Sequence, residues 1–250
     1  YDAQSAMGGV ITLVPGEAGE FDQLNYAQPV GFDGQDTFSY EIPSGAAATV
    51  TSDVIDLREP DSHGELADGL RIDYYALAAP QQLPDFDSLD PYLDGLLAQV
   101  NLPSTDGAFA GSGRADEVGA VCTAMLDVPA DGLYTFYTES DDGSKLYIGD
   151  TEVVENDGLH GMVEESGEIG LLAGTHAIRV EFFERTGGDR LQLRYRGQGE
   201  SYADVPASIL SHDSRLRPPE AHASPDDGVQ PNEGPLARSG DTRLRIASWN

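Results

Sequence analysis

Asp141 and Asp142 stand side by side in SDDGSKLYIGD, residues 140–150, just before a run that alternates like a β-strand. Successive side chains of an extended strand lie on opposite faces, so two neighbouring carboxylates point the same way only with an unusual backbone. A cis peptide bond is one such backbone. Because each carboxylate raises the electrostatic cost of the other, a divalent cation bound between them would stabilise the pair. The alternative is an ordinary solvated Asp-Asp-Gly turn.

The elements that must position this pair are predicted to be β-strands. Between about residues 66 and 210 the sequence alternates in long runs, among them LRIDYYAL, AVCTAMLDV, GLYTFYTES, THAIRVEFFE and DRLQLRYRG. Turn signals such as PADG, ENDG and LAGT separate these runs. The pattern predicts an all-β, antiparallel, jelly-roll-like β-sandwich over residues 64–212. Residues 87–100, DSLDPYLDGLLAQV, are predicted to form the one helix, with Ser88 or Asp90 as N-cap and Pro91 in the first turn.

The residues on either side of the predicted sandwich differ from it in composition and in strand pattern. Residues 1–56 contain short β-prone runs between Gly, Pro and Asp, which predicts hairpins of a partial second β-sandwich module. Residues 213–240 are rich in Pro, Asp, Glu, Ser and Gly and poor in large apolar residues, which predicts a disordered linker. Residues 241–250 resume a strand pattern, and we expect them to be the first strand of a truncated following domain.

The amino-acid composition limits the kinds of molecule that the protein is expected to bind. The 250 residues include 14 Lys and Arg and 44 Asp and Glu, giving a formal net charge of −30. This charge repels nucleic acid and anionic membranes and favours cations and neutral ligands. Cys122 is the single cysteine, so no intrachain disulfide is possible, and its apolar neighbours predict a buried structural residue. The sequence predicts neither a membrane span nor a signal peptide.

Six segments between residues 69 and 197 carry a family resemblance. They are GLRIDYY, FAGSGRADEVG, VPADGLYTFYTESDDGSKLYI, ENDGLHG, LLAGTHAIRVEFFERTGG and LQLRYRG. In this order they resemble the anthrax protective antigen fourteen-kilodalton domain family, a β-sandwich of toxins, yeast flocculins and bacterial adhesins. In flocculins and related adhesins the Asp-Asp pair has a cis bond and holds Ca²⁺, which the resemblance implies for Asp141 and Asp142. Gly149-Asp150 departs from the usual Asp-Gly of the family, which leaves the geometry of that turn open.

A calcium ion needs more ligands than these two residues supply. Calcium takes about 6–8 oxygen ligands, so another loop must contribute. The best candidate is ERTGGDR, where Gly187 and Gly188 allow carbonyls to turn toward the ion and Asp189 adds a carboxylate. In the family this loop completes the calcium site and shapes sugar selectivity. Open coordination positions can then be filled by adjacent sugar hydroxyls, so the ion is the expected recognition element.

Two further residues are expected to contact sugar. Arg185 lies next to the expected ion and can donate hydrogen bonds to sugar hydroxyls; a surface salt bridge is the alternative. His160 matches the family pattern in ENDGLHG; a structural histidine is the alternative. Of the nearby aromatic residues, Phe136 is expected to pack in the core because strand alternation points it inward.

The flanks carry weaker resemblances. NYAQPVGFDGQDTFSYEI resembles the end of the cadherin-like and immunoglobulin-like modules of large bacterial surface proteins. LRIASWN resembles the opening strand of the endonuclease/exonuclease/phosphatase fold, in which an Asn at the position of Asn250 helps bind metal and phosphate.

These observations together favour a binding module. The sequence shows no Ser/His/Asp set, no His-Glu-x-x-His motif and no phosphate-binding glycine loop, so we expect no catalytic activity in this segment. We expect a calcium-dependent carbohydrate-binding module of a secreted or cell-surface adhesin or multidomain extracellular enzyme. Its expected partners are a glycan and neighbouring domains of the same chain, without nucleic acid binding or membrane insertion. The alternatives are a structural spacer that binds no glycan and the targeting segment of a secreted nuclease or phosphodiesterase.

Overall fold

The protein is all-β, as predicted. The structure is a computed structural model that describes residues 1–16, 22–28, 34–41, 45–105, 107–197 and 201–214. These residues form β-strands and three short 3₁₀ turns, Phe86–Ser88, Phe109–Gly111 and Ala207–Ile209, and no α-helix. Among them, no helical segment has the length and apolar character needed to cross a membrane. The predicted strand at 241–250 and nearly all of the predicted linker lie outside the described residues.

The described residues form seventeen strands. In chain order they are β1 (Val10–Val14), β2 (Gln23–Ala27), β3 (Gly34–Glu41), β4 (Ala47–Val54), β5 (Leu66–Asp68), β6 (Leu70–Ala76), β7 (Leu93–Leu97), β8 (Asn101–Thr105), β9 (Val118–Val128), β10 (Gly132–Asp141), β11 (Ser144–Ile148), β12 (Thr151–Asn156), β13 (Val163–Leu171), β14 (Gly174–Glu184), β15 (Asp189–Arg196), β16 (Ala203–Asp204) and β17 (Leu210–Asp213).

Two antiparallel sheets form the predicted sandwich. The larger has eight strands in the order β12-β11-β14-β9-β17-β5, with β6 pairing with both β9 and β7. The smaller has five strands in the order β13-β10-β15-β16, and β8 also pairs with β15. The connection from β10 to β11 is therefore the point where the chain passes from the smaller sheet to the larger one.

Alternation along the long strands builds the core between the sheets. Every second residue of β9, β10 and β14 points inward, which buries Cys122 and Phe136 as predicted. Phe109, from a 3₁₀ turn, stacks on Phe182 with ring centroids 4.4 Å apart. Because full burial disfavours the thiolate, the pKa of Cys122 is raised to about 12, which fits a structural residue.

The predicted helix over residues 87–100 is wrong. This segment contains the 3₁₀ turn Phe86–Ser88 and then β7, which pairs with β6 from Leu93↔Tyr74 to Leu97↔Leu70. Leu93 and Leu97 pack against the core. Residues four apart share a face in a helix and also in a strand, so their spacing fits both, and pairing with β6 decides the outcome.

The N-terminal zone forms the predicted hairpins. The strands pair as two separate two-stranded sheets, β1 with β2 and β3 with β4. Buried Asp36 links them, because its carboxylate accepts hydrogen bonds from the Met7 amide at 2.9 Å and from the Tyr26 hydroxyl at 2.7 Å. Whether these hairpins are part of a cadherin-like module stays a prediction.

Residues 55–61 connect β4 to the sandwich, and we call them the strap. Their backbone pairs with the end of β13, since the Arg58 amide donates to Gly170 O at 2.9 Å and the Leu172 amide donates to Arg58 O at 3.1 Å. The Arg58 guanidinium forms a salt bridge with Asp61, at 2.6 Å between Nη2 and Oδ1. The strap is thus hydrogen-bonded to the sandwich and is not a free linker.

Glycines of the sandwich make room for the strap. At Gly149, where φ is +56°, a Cβ atom would lie 2.0 Å from Nη2 of Arg58. At Gly174, with φ +133°, a Cβ atom would lie 2.6 Å from Pro60 Cγ. The Gly149-Asp150 order that departs from the family pattern therefore lets Arg58 lie directly against the β11–β12 turn.

Candidate functional site

A buried polar network lies beneath the Asp141–Asp142 pair. The inward positions of β10 change from aromatic residues to Thr138 and Ser140 toward its end, and both are fully buried. Ser144, the first residue of β11, is 3.0 Å from Thr138 and 2.8 Å from Ser140 between hydroxyl oxygens. These uncharged hydroxyl groups form hydrogen bonds with one another. They therefore hold in place the connection from β10 to β11, where the chain passes between the two sheets.

Asn156 extends this network to the next loop. Its Nδ2 atom donates to the Ser140 hydroxyl at 3.0 Å and to Val163 O at 3.1 Å. The side chain is buried at the end of β12. It therefore joins both ends of the loop of residues 157–162 to the floor of the site.

Sheet register brings a third carboxylate to the aspartate pair. β11 pairs with β14 with Ser144 opposite Phe182, and continuing this register by two residues places Asp142 opposite Glu184. The Asp141–Asp142 peptide bond is cis, as predicted. One carboxylate oxygen from each of Asp141, Asp142 and Glu184 can be chosen so that all lie within 4.8 Å of one another. We call these three residues the acidic cluster.

Asp142 also binds the backbone of two neighbouring loops, the one after β12 and the one after β14. Its Oδ1 accepts from the His160 amide at 3.1 Å and its Oδ2 accepts from the Arg185 amide at 3.0 Å. Gly143, next in the chain, leaves no room for a side chain, because a Cβ atom would lie 2.6 Å from the Phe183 ring and 2.9 Å from Gly158 N. The loops after β12 and β14 are thus held against the acidic cluster.

Glu184 is the most constrained member of the acidic cluster. It is 0% exposed, and no donor of the described residues meets hydrogen-bonding geometry with either carboxylate oxygen. Burial, followed by repulsion from Asp142 and Asp141, raises the pKa of Glu184 to about 8. The Asp142 amide acts in the opposite direction, and its effect is smaller than those of burial and of the two aspartates.

Asp141 experiences the same repulsion. Burial raises the pKa of its carboxyl, and Asp142 and then Asp189 raise it further, while His160 acts in the opposite direction. Among the described residues, no Lys or Arg side chain forms a salt bridge with Asp141, Asp142 or Glu184. Three convergent carboxylates without a cationic partner are the donor set that hard cations such as Ca²⁺ prefer.

The part of the chain that contains the acidic cluster matches a known protein family. Residues 98–208 match the PA14 domain. The match includes Asp141, Asp142 and Glu184 and confirms the predicted resemblance for this part of the chain. A search of curated proteins gave no match.

Solved structures of PA14 domains share the fold. The PA14 domain of the antifreeze protein MpAFP is 19% identical with a TM-score of 0.53, over 62% of this chain and 95% of that chain. The PA14 sugar-binding domain from an RTX adhesin is 20% identical with a TM-score of 0.51, over 58% of this chain and 98% of that chain.

A third structure with this fold belongs to a longer protein. An anti-sigma factor domain-containing protein is 22% identical with a TM-score of 0.51, over 58% of this chain. The chain spans only about half, 48%, of that protein's length. At these identities the likeness is one of fold.

The loop after β14, residues 185–188, lies beside the acidic cluster, since the Arg185 amide donates to Asp142. The Gly187 amide donates to Asp116 Oδ1 at 3.3 Å. Asp189 is buried at the start of β15 and acts electrostatically on Asp141, but it is not part of the acidic cluster. The proposed carbonyl ligands at Gly187 and Gly188 stay predictions.

The two predicted sugar contacts lie on either side of Asp142. Arg185 reaches Asp142 through its backbone amide. The ring of His160 lies between backbone carbonyls, with Nδ1 2.8 Å from Gly161 O and Nε2 3.1 Å from Asn156 O. These contacts hold the ring in place, and its sugar contact stays a prediction.

Sequence reasoning missed Glu184, although a signal was available. The run IRVEFFE places Ile178, Val180, Phe182 and Glu184 on one face of β14, and the first three are core residues. An acidic residue in phase with a buried apolar row predicts a buried charge, which needs a partner. Glu184 was within the ERTGGDR segment but was not selected.

A groove on the larger sheet of the sandwich is a weaker candidate. It has a volume of about 600 Å³ and lies against Lys145, Tyr147 and Arg179, and no residue of the acidic cluster lines it. Its cations are already paired, since Arg179 contacts Asp87 at 2.9 Å and Lys145 contacts Glu152 at 3.0 Å. Pairing within the protein accounts for these charges.

Proposed function

We propose that this segment binds carbohydrate through a calcium ion held by Asp141 and Asp142. The observation that carries the proposal is the convergence of these two carboxylates with Glu184 within 4.8 Å, without a cationic side chain of the described residues among them. Like charges at this separation are costly in a buried site, and a divalent cation removes that cost. Oxygen donors suit calcium.

We propose the following division of roles among the residues of the site. The network of Thr138, Ser140 and Ser144 holds the aspartate pair, and Asp142 orients the backbone after β14 through the Arg185 amide. Carbonyls of Gly187 and Gly188 and the carboxylate of Asp189 are the further ligands we propose. When bound, calcium supplies open coordination positions that adjacent hydroxyls of a sugar can occupy. Arg185 and His160 would then contact the rest of the sugar.

The match to the PA14 domain supports this proposal, as does the similar fold of the RTX adhesin domain, which is described as sugar-binding. We propose that the segment is a non-catalytic binding module of a secreted or cell-surface protein, with a glycan and neighbouring domains of its own chain as partners. Its net charge of −30 opposes nucleic acid binding.

Calcium and glycan binding can be tested separately. Isothermal titration calorimetry on the full chain should show calcium binding by wild type and by Asp127→Asn, which changes an exposed carboxylate on β9, and none by Asp142→Asn. A glycan array with and without chelator then tests recognition. Glycan binding that survives the chelator would refute the role of calcium, and calcium binding without any glycan would favour a structural spacer.

A further inference from the structure

Asp116 and Glu117, the two residues before β9, contact the backbone of the loop after β14. Asp116 Oδ1 accepts a hydrogen bond from the Gly187 amide at 3.3 Å, and the Glu117 amide donates to Arg185 O at 2.9 Å. The Arg185 amide in turn donates to Asp142 Oδ2 at 3.0 Å. The backbone of this loop is therefore held by two separate segments, the aspartate pair and residues 116–117.

Strand pairing places residues 116–117 beside this loop. β9 and β14 pair along their full length and end with Val118 opposite Glu184. Continuing this register by one residue places Glu117 opposite Arg185, which agrees with the hydrogen bond between them. The contact thus extends a pairing between two strands of eleven residues each, which gives it a rigid base.

The backbone of Glu117 is held in an unusual conformation. Its φ is +52°, a left-handed value that few residues other than glycine adopt. Its carbonyl accepts from the Leu77 amide at 2.8 Å, and its Oε1 accepts from the Ala79 amide at 3.0 Å. Strained backbone of this kind persists where the surroundings enforce it, and it is concentrated at functional sites. Contacts outside the loop after β14 therefore fix residues 116–117.

The bonds to residues 116–117 set the orientation of the two peptide groups on either side of Thr186. Both groups are trans, so their carbonyl and N–H point in opposite directions. Because Arg185 O accepts from Glu117, the Thr186 N–H points away from Glu117. Because the Gly187 N–H donates to Asp116, the Thr186 carbonyl points away from Asp116. Thr186 and Gly187 are exposed, so this segment is open to a ligand.

The loop has little else to hold it at Gly187. There φ is +120°, and no atom of the described residues would lie within 4 Å of an added Cβ. A second glycine, Gly188, follows directly. Glycines with so few neighbours have wide conformational freedom, so the hydrogen bond to Asp116 restricts a segment that is otherwise free to change conformation.

We infer that Asp116 is a positioning residue of the glycan site, which influences the choice of sugar by fixing the backbone of residues 186–187. The inference rests on the proposed function, because it assumes that the loop after β14 contacts the sugar. Asp116 is outside the acidic cluster, and its role requires an acceptor oxygen and not a charge. A pre-oriented loop loses less conformational entropy on binding, and only glycans that match its orientation gain from this.

A purely structural role for Asp116 makes a different prediction. If Asp116 only stabilised the fold, Asp116→Ala would lower the melting temperature and leave the ratio of affinities for different glycans unchanged. If Asp116 positions the loop, Asp116→Ala should lower the affinity for the preferred glycan about tenfold and that for weaker glycans less, with calcium affinity unchanged. Asp116→Asn should restore selectivity, because its side-chain oxygen accepts the same hydrogen bond.

The experiment is a glycan array in saturating calcium on the full chain, followed by titration of the two strongest glycans. Wild type is compared with Asp116→Ala, Asp116→Asn and the control Asp127→Ala, which changes an exposed carboxylate at the other end of β9. Calcium titration by calorimetry checks the ion site of each variant. Amide hydrogen exchange of residues 185–188 should be faster in Asp116→Ala and unchanged in the other two variants.

The outcomes separate the two proposals. If wild type binds no glycan in calcium, the proposed function fails and the inference fails with it. If wild type binds glycans and Asp116→Ala keeps the ratio of their affinities, only the inference fails. A loss of selectivity that Asp116→Asn does not restore would assign the effect to charge and also overturn the inference.

A second variant covers the case in which Asp116→Ala does not fold. Asp116→Glu keeps the charge, but its longer side chain moves the acceptor oxygen away from the Gly187 amide. The same loss of selectivity is therefore expected, and unchanged selectivity in this variant would overturn the inference.

Discussion

Arg58 Nη1 lies 3.0 Å from Nδ1 of the buried His176, a residue 118 positions later in the chain. His176 Nε2 is 2.8 Å from Leu172 O, so it donates to that carbonyl and Nδ1 accepts from the guanidinium. The same guanidinium pairs with Asp61, whose Oδ2 accepts from the Ala177 amide at 2.8 Å. Arg58 therefore connects the strap to two adjacent residues of β14, the strand that ends in Glu184.

Replacing Gly149 with Ala should displace Arg58 from this position. The new methyl group would overlap the guanidinium at 2.0 Å, and Ala is strained at φ +56°. We expect the free energy of unfolding to fall by about 2–3 kcal/mol in urea titrations. Gly158→Ala is the control, because φ is +111° there and no atom lies within 4 Å of the added Cβ, so its cost is conformational.

A double-mutant cycle identifies the cause. In an Arg58→Ala background the clash is absent, so Gly149→Ala should cost only about 1 kcal/mol, from backbone strain. Equal costs of Gly149→Ala in both backgrounds would contradict the proposed contact between the strap and the β11–β12 turn.

Calcium-free protein should lose stability as pH rises. The pKa of Glu184 is raised from 4.5 to about 8 in the folded protein, so the folded state holds a proton that the unfolded state releases between these values. The free energy of unfolding therefore falls with rising pH in this window, by up to about 1.4 kcal/mol per pH unit. Asp141, whose pKa is also raised, adds in the same direction.

Urea unfolding in chelator at several pH values across this window measures the slope. Glu184→Gln should reduce it, because one of the responsible carboxyls is gone. Stability that rises with pH in wild type would show that Glu184 is not held protonated by its surroundings.

Asn156→Ala should weaken both the fold and the calcium site. The change removes the donor that Ser140 and Val163 accept from beneath the acidic cluster, at an expected cost of about 1–3 kcal/mol. Calcium affinity should fall because Ser140 precedes the aspartate pair. Asn101→Ala is the control: its Nδ2 donates to Asp204 at 2.9 Å, away from the acidic cluster, so calcium affinity should not change.

Glycans that bind should be neutral. Three carboxylates around one divalent ion leave a net negative site, in a chain whose formal charge is −30. Sialylated or sulfated glycans would meet repulsion, and we expect their binding on an array to be at least about tenfold weaker than that of their neutral counterparts. Preferred binding of acidic glycans would instead indicate that the ion is not surrounded by all three carboxylates.

Local sequence patterns sufficed for much of the fold. Alternating residues in THAIRVEFFE and GLYTFYTES predicted β14 and β10, because one face of each strand is buried and the other is not. The Asp-Asp pair predicted the cis bond through a family resemblance, and the apolar neighbours of Cys122 predicted its burial. Residues 87–100 were misassigned because spacing by four fits both a helix and a strand.

The amino-acid sequence by itself determined most of the long strands, the all-β class and the position of Asp141 and Asp142 at a strand end, because these depend on short-range alternation and turn chemistry. Only the tertiary structure decided that Glu184 completes the acidic cluster and that Arg58 reaches His176. Both contacts join residues far apart in sequence. They depend on which strands become neighbours and in what register, which no local pattern specifies.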